Sequence, residues 1–314
     1  MFLIAALYKF ADFPEFSDFQ KPLHRVCADN DVLGTILLAS EGLNGTIAGP
    51  PSGVENVLAF IRSEPRFATI EAKLSHAEDA PFLRLKIRLK QEIVALGVGD
   101  IDSINGTGTY VAPSEWNDLI SDPDVVVIDT RNDYEFAIGT FEGAVNPEID
   151  VFRDFPSWVA NRTDLADKPP VAMFCTGGIR CEKLTAWMKN QGFDNVYQLE
   201  GGILKYLETV PEDESTWDGE CYVFDRRVSV GHGLIPGDND QCPNCNTVVT
   251  PQDRTDPRYA VGVTCPACFD VTSDSRKSRF AERQKQIELA AARGESHLAH
   301  THSRSDGAGT ELRE

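Results

Sequence analysis

Between Val171 and Phe193 the chain reads V-A-M-F-C-T-G-G-I-R-C-E-K-L-T-A-W-M-K-N-Q-G-F, and no other stretch constrains its fold as tightly. Four apolar residues, Val171 to Phe174, predict a short buried strand. Thr176-Gly177-Gly178 permits a tight turn that brings backbone N–H groups close to a bound atom. After Arg180 the pattern becomes helical, with Leu184, Trp187 and Met188 at i, i+3 and i+4 and Gly192 just past the end. Cys175 therefore stands at the mouth of a loop that opens a helix. Amide donors, the positive end of the helix dipole and the Arg180 guanidinium all favour an anion there. Such surroundings lower a thiol pKa and make the thiolate a nucleophile. A small hydrophobic cysteine closing a core strand is the competing reading, and it leaves Gly-Gly-x-Arg unexplained.

The 314 residues leave room for two or three domains. The first ninety alternate strand and helix signals: a strand over Phe2 to Phe10, and a helix over Pro14 to Cys27 with an apolar face of Phe16, Phe19, Leu23 and Val26. A β-rich run follows from Val32 to Ala39, then a turn at Glu41-Gly42-Leu43-Asn44-Gly45 into Thr46-Ile47-Ala48. Next come a helix over Gly53 to Ile61, which Ser52 can cap, and a strand over Ile70 to Leu74. The order β-α-β-β-α-β reads as a ferredoxin-like or acylphosphatase-like domain over 1–92. Its last strand, Leu83 to Lys90, alternates so that Arg84, Lys86, Arg88 and Lys90 share one face. An antiparallel strand with a solvated outer face is the plain reading; a face that contacts phosphates is the functional one.

A Gly-, Asp- and Ser-bearing connector, Gln91 to Thr109, marks the boundary. The region 110–215 then alternates strand and helix as in a parallel sheet covered on both faces: a helix over Pro113 to Ile120, a strand over Val125 to Asp129, the Cys175 unit, a strand over Val196 to Leu199 and a helix near Ile203 to Leu207. Ligands of such sheets lie beyond the carboxyl ends of the strands, where Cys175, Asp129 and Arg131 all fall. An internal Asp129–Arg131 ion pair is expected. Arg180 either holds an oxyanion or persulfide at the loop, which its position favours, or pairs with a nearby carboxylate. Cys181, six residues beyond Cys175, either resolves a persulfide or sulfenate as a disulfide or packs under the loop.

The region 220–293 carries Cys242-Pro-Asn-Cys245 and Cys265-Pro-Ala-Cys268, nineteen residues apart. That spacing suits a four-thiolate structural zinc knuckle, with two redox-active or merely reduced pairs as the alternative. A polar helix to about Arg293 follows, holding Arg276, Lys277, Arg279, Arg283 and Lys285. It is either a solvated helix or an RNA contact. From Gly294 the chain is polar, and disorder is expected over 294–314, with no role for His297, His300 or His302.

Charge and motifs exclude several classes. The net charge is −19, but residues 1–90 and 224–314 each carry −1 and residues 91–223 carry −17. A polyanionic partner is therefore compatible with the two ends. No apolar run is long enough to span a bilayer, and the apolar amino terminus reads as a first strand, not a signal peptide. Eight cysteines, half of them in C-x-x-C pairs, fit a reducing cytoplasm. Neither a 2-His-1-carboxylate iron signature nor a Rossmann or flavin motif is present, so no organic cofactor is evident.

The loop C-T-G-G-I-R resembles the six-residue active loop of rhodanese domains, whose cysteine carries sulfur as a persulfide. Val125-Val126-Val127-Ile128-Asp129-Thr130-Arg131, continuing to Asp133-Tyr134-Glu135, resembles the rhodanese strand that ends in Asp-x-Arg. Leu199-Glu200-Gly201-Gly202-Ile203 resembles a late rhodanese turn. The extended form C-T-G-G-I-R-C-E-K, with its flanks, is similar to a narrower family, the rhodanese-containing tRNA uridine hydroxylases, from the first strand to about Glu295. That resemblance implies oxygen-dependent 5-hydroxylation of the wobble uridine, with molecular oxygen as co-substrate and the anticodon region of tRNA as partner. Within that reading the catalytic candidates are Cys175, Arg180 and, from its position, Cys181, and the loop residues Thr176, Gly177, Gly178 and Ile179 are candidate substrate contacts. The residues alone supply a reactive thiolate and an RNA-compatible frame. They leave open a plain sulfurtransferase passing persulfide sulfur to a protein or small acceptor, an inactive adaptor, and an unidentified sulfur- or electron-donor protein. A Cys-dependent phosphatase would want a loop one residue longer.

Overall fold

The computed structural model describes residues 1–99 and 101–294. Three regions follow one another, and the first folds back over the second. The amino-terminal region comprises β1 (Phe2–Phe10), α1 (Phe16–Asp29), β2 (Leu33–Ala39), β3 (Gly42–Gly49), α2 (Pro51–Ser63), β4 (Ala72–Ala77) and β5 (Leu85–Leu89). Its five-stranded sheet has the order β4-β1-β3-β2-β5. Strands β4 to β2 form the antiparallel sheet expected of a β-α-β-β-α-β unit. Side chains alternate across a sheet, so Leu3, Ala5, Leu7, Leu43 and Ile47 turn to one face, where Leu23, Val54, Leu58 and Ile61 of the two helices cover them. Phe13, Phe19 and Phe67 close that core edge to face and tilted, with ring centroids 5.0–6.2 Å apart.

Three local expectations are corrected. The cationic segment is a fifth strand and pairs parallel, not antiparallel, with β2: β4 occupies one edge of the sheet, so the chain returns to the other. The segment 42–45 belongs to β3, and the turn is confined to Ser40 and Glu41. Gly45 is a glycine for close approach, since a Cβ there would lie 2.5 Å from the Thr35 carbonyl oxygen. Helix α2 starts at Pro51 after Pro50, one residue before the expected Ser52 cap, because proline at the first position needs no N–H partner.

The second region comprises β6 (Thr109–Val111), α3 (Pro113–Ile120), β7 (Val126–Asp129), α4 (Asp133–Phe136), β8 (Gly139–Phe141), α5 (Phe155–Ala160), β9 (Val171–Phe174), α6 (Ile179–Asn190), β10 (Val196–Leu199) and α7 (Gly202–Thr209). Its parallel sheet has the order β6-β10-β9-β7. Alternation along β9 sends Val171, Met173 and Cys175 to the face covered by α5 and α6. Ala172 and Phe174 go to the face covered by α3 and α7, with Trp116, Ile203 and Tyr206. The chain then continues through β11 (Trp217–Gly219), which pairs with β8, and β12 (Cys221–Tyr222), which pairs with β13 (Ser229–Val230). The last region holds β14 (Asp240–Gln241), β15 (Val248–Val249) and α8 (Asp274–Ala292). The histidines at 297, 300 and 302 lie outside the described residues.

Helix α6 is buried nearly all round, Arg180 to Ala186 without a break, because the sheet packs on one side and the amino-terminal region on the other. The two residues after Cys181 make that second contact. Lys183, 2 % exposed, donates to Glu41, Glu92 and the Val94 carbonyl, all from the amino-terminal region and its connector. Glu182 accepts from Tyr8 at 3.0 Å and from Tyr110 at 2.6 Å. Removing a buried cation from two carboxylates leaves them facing each other. Lys183→Met is expected to destabilise the protein by about 3–5 kcal/mol and to speed protease cleavage within residues 91–109. Urea unfolding and timed proteolysis check it, and a wild-type urea midpoint would show that this bridge does not hold the regions together.

Candidate active site

The site grows from the end of β9. Cys175 leaves the strand fully buried, and Gly178 turns the chain at φ +102°, a conformation that disfavours any side chain. A Cβ at Gly178 would also lie 2.8 Å from the Tyr8 hydroxyl. The turn aims the Gly178 N–H at the Cys175 sulfur, at 3.1 Å. Behind the loop, the start of α7 donates from Ile203 and Leu204 to the carbonyls of Cys175 and Thr176, both at 3.0 Å. Gly202 permits this approach, since a Cβ there would sit 2.5 Å from the Cys175 carbonyl oxygen.

Burial by itself opposes ionisation of Cys175. It is outweighed by a hydrogen bond from the Cys181 thiol, by the charge of Arg180 and by the N–H groups of Cys181 and Arg180, which together bring the thiol down to about 5. Cys181 moves the other way: burial first, then its bond to the Cys175 thiolate and that thiolate's charge, hold it protonated well above the usual thiol range. The Thr130 hydroxyl lies 3.7 Å from the Cys181 sulfur. The two thiols are therefore unlike, one ionised and one protonated, side by side under the loop.

Arg180 takes the second of its two expected roles and pairs with a carboxylate. Its guanidinium meets buried Glu135 in a fork, with contacts of 2.7 and 2.8 Å, and its charge reaches Cys175 from there. Burial would raise the Glu135 carboxyl, but Arg180 overcomes this and lowers it. The Asn132 N–H donates to the Glu135 carboxylate at 3.1 Å and holds it at the start of α4. Asp129 and Arg131 form the expected internal pair, 2.6 Å apart and wholly buried.

Cys175, Thr176, Gly177, Ile179 and Arg180 line one cavity of about 240 Å³. Its other walls come from segments that sequence reasoning did not assign to the site. Tyr8, Asn44, Thr46 and Lys73 belong to the amino-terminal sheet, and Phe224 and Arg227 to the turn between β12 and β13. The Lys73 ammonium donates to the Gly177 carbonyl. Burial lowers the Lys73 pKa against the opposing pull of the Cys175 thiolate and Glu182. The Thr176 hydroxyl turns away from the sulfur to Glu135, at 3.3 Å. Arg84, Lys86, Arg88 and Lys90 do not line the cavity, but all four are exposed and none forms a salt bridge among the described residues.

Outside the lining of this cavity, Cys242, Cys245, Cys265 and Cys268 bring their sulfurs within 4.8 Å of one another, a cluster that can hold a metal ion. The closest sulfur pairs are 3.5 and 3.8 Å apart, far longer than a disulfide. Helix α8 is tied to the cluster by Arg276, which donates to the Asn244 carbonyl at 2.8 Å.

Because Cys175 titrates near 5, its thiolate fraction should stay full from pH 8 to 6 and fall as the pH drops through 5. The difference in ultraviolet thiolate absorbance between wild type and Cys175→Ala reads this without needing access to the sulfur. An inflection near the ordinary thiol value of about 8.5 would overturn it. Arg180→Gln should move the inflection upward.

Two family profiles match the chain: the UPF0176 acylphosphatase-like domain over residues 2–93 and the rhodanese-like domain over residues 112–209. The protein named tRNA uridine(34) hydroxylase of Agrobacterium fabrum is 58 % identical over 95 % of this chain and 95 % of its own. Those of Albidiferax ferrireducens (56 %, covering 95 % and 94 %) and Acaryochloris marina (52 %, covering 96 % and 98 %) are similar over the same extent. With a rhodanese-type loop, an acylphosphatase-like partner sheet docked on it and relatives aligned from end to end, the chain belongs to the tRNA uridine(34) hydroxylase family.

Proposed function

We propose that this protein hydroxylates the wobble uridine, position 34 of tRNA, at C5, with molecular oxygen as co-substrate and Cys175 as the reacting thiolate. One observation carries the reading furthest: the wall of the Cys175 cavity is the continuation of a cationic sheet face. Strand register aligns Lys73, Ala6, Thr46, Thr35 and Lys86 in one row, and Tyr8, Asn44, Leu37 and Arg88 in the next. Lys73 and Tyr8 touch the active loop, and Lys86 and Arg88 stand at the open end of the same face. With strands about 4.8 Å apart, the first row runs roughly 19 Å and the second roughly 14 Å from the cavity outward. Phosphates along that face would position an RNA while its loop presents an unpaired base to the sulfur.

A plain sulfurtransferase needs a loop and a thiolate but no second domain walling the pocket. Whole-length relatives named for uridine(34) hydroxylation favour the same conclusion. Placing one oxygen atom of dioxygen on the base and releasing the other as water consumes two electrons and two protons. Closing Cys175 and Cys181 to a disulfide supplies both electrons and, because Cys175 is already ionised, the single proton of Cys181; solvent supplies the second proton, and a thiol reductant then reopens the disulfide. Thr176, Gly177, Gly178 and Ile179 shape the loop around the sulfur, and Arg180 keeps it ionised.

The four-cysteine cluster is proposed to hold one zinc ion. A tetrahedron with Zn–S near 2.3 Å places its sulfurs about 3.8 Å apart, close to the 3.5–3.8 Å found between neighbouring sulfurs. Zinc there orders the knuckle and, through Arg276, the start of α8, a second surface for the RNA. No helix among the described residues is long and apolar enough to cross a membrane. We place the reaction in the cytoplasm, where all eight cysteines, free in this structure, stay reduced.

Cys175→Ala is expected to abolish the gain of one oxygen on uridine 34 while leaving the unfolding midpoint near wild type. Full modification by this variant would sink the assignment. Replacing Lys86 and Arg88 by Glu should weaken tRNA binding and reduce its dependence on log salt by about 0.7 for each phosphate no longer neutralised. The Cys175 titration should not move. Unchanged binding would shift the RNA platform to α8. Metal analysis of protein purified without added zinc should find one zinc per chain, and a metal-free but folded carboxyl-terminal region would refute the knuckle.

A further inference from the structure

The turn between β12 and β13 contributes to the Cys175 cavity but has no part in ionising the sulfur. It is held rigidly. Asp225 and Arg227 form a fork with contacts of 2.9 and 2.6 Å. Arg227 also donates to the Ser75 hydroxyl at 2.9 Å, and the Arg226 N–H donates to the Pro81 carbonyl at 3.1 Å. Val223 closes the turn on the Val228 carbonyl at 2.8 Å. On this pinned turn sits Phe224, 57 % exposed although it lines the cavity.

Its exposure is built, not incidental. The Phe224 ring stands edge to face on Tyr222 at 5.1 Å, and Tyr222 stands edge to face on Tyr134 at 5.2 Å. This aromatic column fixes the ring from one side only and leaves the rest of it to solvent. A single exposed apolar ring is ordinary elsewhere on a surface, but this one lines the cavity that also holds Cys175, so a flat apolar partner covering it would lie beside the sulfur. A nucleobase is such a partner, and aromatic side chains are the usual stacking surfaces for unpaired bases.

We propose that Phe224 is the platform on which the substrate's uracil ring stacks when it leaves the anticodon loop, so that the ring edge reaches Cys175 across the cavity. This rests on uridine 34 being the substrate. The polar wall facing the ring suits a pyrimidine: Lys73, with three donor hydrogens and the Gly177 carbonyl as its hydrogen-bond acceptor, and Asn44 and Thr46 beside it all lie within the same cavity. Phe224 thus acts by touching the base, whereas Lys86 and Arg88 hold the backbone.

The test uses the full-length protein and an anticodon stem-loop carrying uridine or 4-thiouridine at position 34. Phe224→Leu keeps an apolar side chain without a π face, and Phe224→Tyr keeps the face. Loss of one stacked base corresponds to roughly five- to hundredfold in affinity. Phe224→Leu should therefore raise KM for the RNA within that range, and Phe224→Tyr should stay within about twofold of wild type. The Cys175 thiolate titration should be the same in all three proteins. On irradiation, 4-thiouridine at position 34 should cross-link to the peptide holding residue 224. A wild-type KM for Phe224→Leu, or cross-linking there only from position 33 or 35, would overturn the inference. If the wild-type protein adds no oxygen to uridine 34, the substrate reading fails, and the cross-link from position 34 still decides whether Phe224 receives that base.

Discussion

An ionised sulfur with no access to water is the constraint on which the rest of this molecule depends. A buried thiol ordinarily stays protonated, as the fate of Cys221 illustrates: burial pushes it up to about 12. Cys175 is buried just as completely and goes the opposite way. The difference is local and nameable. Cys175 has the N–H groups at the start of α6, a thiol donor in Cys181 and a nearby guanidinium, whereas Cys221 has Arg131 and the Thr176 hydroxyl but no helix-start N–H groups to set against burial and the carboxylates of Glu135 and Asp129. The Gly178 turn, the Glu135 fork and the α7 start behind the loop all serve to hold that donor set in place. Glu135 has the further effect of anchoring Arg180. A guanidinium free to swing would collapse onto the sulfur, while one held in a fork lends its charge without covering the sulfur itself.

The second constraint is that the pocket is unfinished without the amino-terminal sheet. Glu182 and Lys183 follow Cys181 directly, so the helix that ionises the sulfur is also the one that grips the partner domain. This coupling explains why those two charged residues are buried on a helix that has lost its polar face. It also sets the pocket wall: once Lys183 meets Glu41 and Glu92, the register of β1, β3 and β4 brings Tyr8, Asn44 and Lys73 over the loop. The active loop and its cover are therefore positioned by residues one helical turn apart.

Much of this is readable from the chain, and the missing parts fail for identifiable reasons. The strand-loop-helix around Cys175, the parallel sheet, the Asp129–Arg131 pair and the four-cysteine cluster are all local or periodic patterns, and local patterns survive in sequence. Tyr8 and Lys73 enter the site from more than a hundred residues upstream, by docking alone, so no spacing rule could reveal them. Gly45 misleads because glycine marks both turns and close approaches, and here a neighbouring carbonyl demands the second. Arg180 misleads in part because a motif gives a side chain's origin, not its partner. Glu135 stands just after Asp-x-Arg in the chain, yet only the fold brings it to Arg180. Phe224 lies in an irregular turn where hydrophobic periodicity says nothing.

The distribution of charge bears on how a polyanion would approach. Residues 91–223 carry a net −17, so most of the surface around the central sheet repels phosphates, including the exposed run Glu212-Asp213-Glu214. Arg84, Lys86, Arg88 and Lys90 lie on a region of near-neutral total charge and have no salt-bridge partner among the described residues. At long range the net charge of −19 repels a polyanion, so attraction is confined to the cationic surfaces at close approach. The effect of this arrangement is on orientation: the acidic central region disfavours a polyanion, whereas the cationic strand and the basic helix α8 both lie in the near-neutral ends. The sheet face of that strand ends at Tyr8 and Lys73, against the active loop. An acidic chain is therefore compatible with an RNA partner, because its acidity lies in the central region while the register of the cationic strand leads across the sheet to Tyr8 and Lys73 at the active loop.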